Sequence, residues 1–120
     1  MRMWMVNPKV MCREHLLGEY RELFTFLGTL RKKKRVDGYI RNDLLEPLAL
    51  LARYHVLRDE MLRRGYRPRK VFTFVMSDLD YLSEEHRNHR IDRSRSFCAL
   101  VDRCPTCRRN AELKYGTYIQ

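Results

Sequence analysis

Leu16, Tyr20, Leu23, Leu27 and Leu30 recur at alternating spacings of four and three, the register in which one face of an α-helix meets a core. The pattern predicts a helix from Arg13 to Leu30, with Gly28 a weak point where it ends early. Leu50, Tyr54, Leu57 and Met61 repeat the pattern in a second helix. Asp43 and Glu46 make a capping signal ahead of it, Pro47 suits a first helical turn, and Arg63-Arg64-Gly65 is a stop. A third helix is expected from about Asp92 to Arg103, with Phe97, Leu100, Val101 and Cys104 inward and Pro105 ending it. Between these, VFTFVM (71–76) fits a short strand or a buried loop, and EEHRNHR (84–90) reads as exposed. Residues 1–9, apolar and closed by Asn7-Pro8, read as extended. The expected fold is all-α, a compact single domain over residues 1–120. It has about three helices, long loops, and the N-terminal segment lying across the helices.

The first helix carries a second stripe in the same register: His15, Glu19 and Glu22. An exposed helix face with one i,i+4 pair would account for it. So would a site built from one imidazole and two carboxylates.

Charge changes the weighting. The chain of 120 residues has 25 Lys+Arg against 15 Asp+Glu, a formal net charge of +10. Folding gains nothing from that excess, so a polyanionic partner is expected, nucleic acid before an anionic membrane surface. The basic runs at 31–35, 63–70 and 103–109 supply the phosphate contacts such binding needs. No apolar run approaches the length that spans a bilayer, and MRMWMVNPK lacks the core of a signal peptide. The chain is therefore expected inside the cell, in the cytoplasm or wherever its polyanionic partner lies, with its 4 Cys mostly reduced.

The opening Met1-Arg2 adds candidate chemistry, because methionine is normally retained before a residue as large as arginine. An α-amine titrates near 7.7–8.0, so a fraction of it is neutral and nucleophilic at physiological pH. Such an amine forms Schiff bases with aldehyde-level sugar carbons, and a neighbouring carboxylate serves the proton transfers.

Met1-Arg2 followed by His15-Leu16-Leu17-Gly18-Glu19-Tyr20-Arg21-Glu22-Leu23 resembles the pyrimidine-dimer DNA glycosylase family in both the E-Y-R-E-L motif and its distance from the first residue. Met61-Leu62-Arg63-Arg64-Gly65-Tyr66 resembles the end of that family's second long helix, and Lys114-Tyr115-Gly116 its aromatic-basic tail. The similarity is strongest over residues 1–30 and 50–66. It implies an N-glycosylase with β-elimination (AP lyase) activity on cyclobutane pyrimidine dimers in duplex DNA, acting as a monomer without metal or cofactor and without a membrane. By the resemblance, the Met1 amine attacks C1′ and Glu22 handles the protons. Arg2 and Arg21 position phosphates and Glu22, and His15 orients groups at the site. Arg31, Lys32, Lys33, Lys114 and Tyr115 are the further expected DNA contacts.

The cysteines support a rival reading, a non-enzymatic nucleic-acid-binding module stapled by zinc. Cys104-Pro105-Thr106-Cys107 is a C-x-x-C that either Cys98 and Cys12 or His86 and His89 would complete.

Overall fold

In the computed structural model, residues 1–116 are described; residues 117–120, the last of the aromatic-basic tail among them, lie outside that range. Among the described residues there are six α-helices: α1 (Arg13–Arg31), α2 (Asp37–Arg41), α3 (Leu50–Arg63), α4 (Glu84–Arg87), α5 (Arg93–Arg103) and α6 (Pro105–Tyr115). Short 3-10 turns lie at Pro8–Val10, Pro47–Ala49 and Met76–Leu79, and no strand occurs among the described residues. The chain is all-α as expected, with six helices where about three were anticipated.

The two long helices follow the pattern that predicted them. All of Leu16, Tyr20, Leu23, Leu27 and Leu30 are buried, as are Leu50, Tyr54, Leu57 and Met61. Gly28 does not end α1, which runs on to Arg31. The stop of α3 is a Schellman ending: Gly65 takes φ +86°, its N–H donates to Leu62 O, and the Tyr66 N–H donates to Met61 O at 2.9 Å.

Three differences have physical causes. Pro105 ends α5 but also opens α6, because a proline suits the first helical position and Cys104 caps it. The charged 84–90 stretch contains α4, capped by Ser83. VFTFVM is neither a paired strand nor a buried loop. Phe72 and Phe74 are buried while Val71, Thr73 and Val75 are exposed. Phe72 stacks on Tyr54 (5.1 Å between centroids) and meets Phe24 edge-on, and the Lys70 carbonyl accepts from the hydroxyls of Tyr54 and Tyr20. Aromatic packing and two side-chain donors thus replace a ladder.

The body is a plate, 44 × 33 × 17 Å along its principal axes. α1 packs on α3, α5 on α6, and α6 on the Pro8–Val10 turn. The N-terminal segment is built into this body: Met3 is fully buried, Trp4 and Val6 nearly so, and the Met3 N–H donates to Leu44 O at 2.8 Å.

Candidate active site

The N-terminal segment lies along α1 and runs opposite to it. The Met1 amine sits 3.7 Å from Glu22 Oε1, the Arg2 N–H donates to Glu22 Oε2 at 3.3 Å, and the Trp4 ring meets His15 edge-on at 5.6 Å. The register follows from elementary rises. Three extended residues cover about 10 Å, and the seven helical residues from His15 to Glu22 cover about 10.5 Å. The polar stripe is therefore the face that α1 turns toward the segment.

Its three residues have different surroundings. Glu22 is about one-third exposed and faces the amine. Glu19 is 1% exposed and receives both prongs of the Arg53 guanidinium, from Nε at 2.6 Å and Nη2 at 2.9 Å. Arg53, from α3, also donates to Val6 O at 2.7 Å, so this buried pair holds the segment as well as the two helices. His15 turns its Nδ1 toward sulfur, 3.1 Å from Cys12 and 3.6 Å from Cys107.

Further groups fix the segment. Arg64 Nη2 donates to the carbonyls of Pro8 and Met11, and its Nε donates to Glu60. Ser96 of α5 donates to the Trp4 carbonyl and accepts from Arg2 Nη2 at 3.1 Å. The Arg2 guanidinium lies over the Trp4 ring, 3.8 Å from its centroid, and Arg103 approaches the same ring at 5.5 Å. Burial, and then the neighbouring Arg103 charge, lower the Arg2 pKa from its ordinary value. Arg2 Nε is buried without a hydrogen-bond partner.

The other expected contacts are scattered. Arg21 is exposed on α1, one position before Glu22. Arg31 is committed within the molecule, to Thr73 O at 2.6 Å and to both Asp78 oxygens at 3.3 Å, where it pins the 73–78 turn to the end of α1. Lys32 and Lys33 are exposed beyond it. Lys114 and Tyr115 end α6, with Tyr115 against Phe97. The concavity lined by Leu30, Arg31, Lys33, Ser77, Asp78, Asp80 and Tyr81, about 430 Å³, includes neither Met1 nor Glu22. The amine and Glu22 lie outside it, at a partly exposed position.

The expected sulfur groupings are corrected. Cys98 is exposed on α5, and His86 and His89 pair with Asp37 and Asp43, so none of these joins Cys104 and Cys107. Cys12 and His15 do. Burial pushes the Cys107 thiol up to about 12.

Sequence reasoning passed over Arg53, Glu60, Trp4 and Ser96. Two of these were signalled: Arg53 and Glu60 each follow a core leucine of α3 by three positions, where a charge needs a buried partner.

A protein-family model described as pyrimidine dimer DNA glycosylase matches residues 1–74. No curated protein and no solved structure matches the chain.

Proposed function

The chain belongs to the pyrimidine dimer DNA glycosylase family, and from that premise we propose that it excises cyclobutane pyrimidine dimers from duplex DNA through the Met1 α-amine and then cleaves the strand as an AP lyase. The observation that carries this reading is the 3.7 Å approach of the amine to Glu22 on a segment fixed by buried groups. A nucleophile and a proton acceptor held this close need little reorganisation to react.

The steps follow from the pair. The amine gives a proton to Glu22, and its lone pair attacks C1′ of the damaged nucleotide. The C1′–N bond breaks, and the base leaves with the proton that Glu22 took, which restores the carboxylate; the proton for O4′ comes from the nitrogen now bound to C1′. Opening of the sugar ring breaks C1′–O4′, protonates O4′ and gives a cationic imine at C1′. The Glu22 carboxylate stands where it can stabilise that cation and then remove a C2′ proton. The resulting electron pair expels the 3′ phosphate. Water hydrolyses the imine and returns the amine. Arg2 and exposed Arg21 bear on the phosphates beside the lesion. A dimer is poorly stacked, which lowers the cost of exposing C1′ to a site on an open surface.

Borohydride trapping tests the proposal, on a duplex with one thymine dimer, with abasic and undamaged duplexes as controls. A covalent adduct on the dimer duplex that maps to Met1 is expected. An adduct on the abasic duplex alone would remove dimer specificity. No adduct on either, with salt-sensitive binding retained, would leave a non-enzymatic DNA-binding module.

A further inference from the structure

Four side chains from two distant parts of the chain converge where α1 and α6 begin. Cys12 and His15 form a C-x-x-H at the start of α1, and Cys104 and Cys107 form a C-x-x-C at the start of α6. Their ligand atoms all lie within 4.8 Å of one another. Cys12 Sγ is 3.1 Å from His15 Nδ1 and 3.9 Å from Cys104 Sγ, and Cys107 Sγ is 3.6 Å from His15 Nδ1. For a tetrahedral zinc ion with ordinary bond lengths, S···S edges are about 3.8 Å and S···N edges about 3.5 Å. Two of these separations match such edges, the third is about 0.4 Å short, and every pair lies within 4.8 Å, so small side-chain adjustments would close the four atoms on an ion.

The hydrogen bonds distinguish this cluster from ordinary buried thiols. Each sulfur accepts a backbone N–H: Cys12 from His15 (3.4 Å), Cys104 from Cys107 (3.4 Å) and Cys107 from Cys12 (3.1 Å). Were the three thiols neutral, Cys104 would donate to the Cys12 sulfur at 3.9 Å, while Cys12 and Cys107 would compete for the single Nδ1 of His15. Sulfurs surrounded by N–H donors suit thiolates, and N–H···S bonds are the usual outer support of a thiolate–metal centre. Cys12 and Cys104 also cap α1 and α6, so two helix N-termini face the excess negative charge that three thiolates leave on a divalent ion.

We infer that Cys12, His15, Cys104 and Cys107 bind one structural zinc ion. Three thiolates and an imidazole in a closed tetrahedral arrangement select zinc over the oxygen-seeking divalent ions. With all four positions filled by protein, no site is left for water or substrate, so the ion acts as a staple. It ties α6 to the point where the N-terminal segment turns into α1, two helical turns from Glu22. Cys104 and Cys107 lie beyond residues 1–74, outside the part of the chain that the family model matches.

The test is elemental analysis of the full-length chain, purified without chelator from zinc-supplemented cells. About one zinc per chain is expected. It should be unchanged in Cys98→Ser, which alters an exposed cysteine outside the cluster, and lost in Cys107→Ser. Cobalt titrated into the metal-free, reduced wild-type chain should give tetrahedral visible bands and a thiolate-to-cobalt charge-transfer band, a readout that does not depend on the variant folding. Wild-type chain without stoichiometric zinc and without the charge-transfer band would overturn the assignment, as would full zinc retention in a soluble Cys107→Ser. Borohydride trapping is read separately, so failure of the amine chemistry and failure of the zinc site are distinguishable.

Discussion

Glu19 and Glu22 stand three positions apart on one helix face and differ in what each meets. Glu19 is sealed against Arg53, and removing one partner of such a pair leaves an uncompensated buried charge. Glu19→Gln should therefore cost about 3–5 kcal/mol, measured by urea unfolding. Glu22 faces an amine at a partly exposed position, where an ion pair contributes about 1 kcal/mol or less. Glu22→Gln should leave the melting temperature nearly unchanged, abolish cleavage of dimer-containing duplex, and preserve binding to it. If cleavage survives in a folded Glu22→Gln, the assignment of proton transfer to Glu22 is wrong. His15 is the residue whose expected place changed most. Its spacing suited the reaction site, while its Nδ1 points to sulfur, and a three-residue interval before it to Cys12 was the available sign.

At the scale of the element, α1 and α3 were legible because each buries one continuous stripe, and a stripe is a local property of sequence. The extended start of the chain was legible from Asn7-Pro8 and its apolar residues. α6 was missed because its helical residues are mostly polar and its start looks like the end of α5. The pairing of Cys12 and His15 with Cys104 and Cys107 spans about ninety positions, and no local period reports it. The end of α3 also carries a dependence on acid. Arg63 and Arg64 hydrogen-bond to Glu60, and this outweighs the opposing effect of burial, so its carboxyl sits below the ordinary range in the folded chain. A depressed folded value adds stability above the unfolded pKa of about 4.3. That stability is lost as pH falls through the folded value. Thermal melts from pH 6 down to about 3 should show the loss, and Glu60→Gln should be less stable at pH 6 and flatter across that range. Because Glu60 also orients Arg64 on the Pro8 and Met11 carbonyls, the same acid range loosens the hold on the N-terminal segment.

For the whole molecule, the charge of +10 governs association with DNA. Affinity for undamaged duplex should fall roughly a thousandfold or more between 50 and 200 mM salt, measured by fluorescence anisotropy. Lys32→Ala and Lys33→Ala should each flatten the log–log slope by about one. Arg31→Ala should leave the slope nearly intact and lower the melting temperature, since its guanidinium holds Thr73 and Asp78. The shape of the body carries one more consequence. A plate 17 Å thick is less than two helix diameters deep. Every helix therefore has a face to water, and protection from hydrogen exchange comes from position within the sheet of helices instead of depth. The most shielded amides should be those in the middle of α1 and α3, where the leucine stripes meet, which hydrogen exchange read residue by residue would show. Glu22 lies at the middle of α1, so the ends of the molecule should open and close many times while the carboxylate keeps its place.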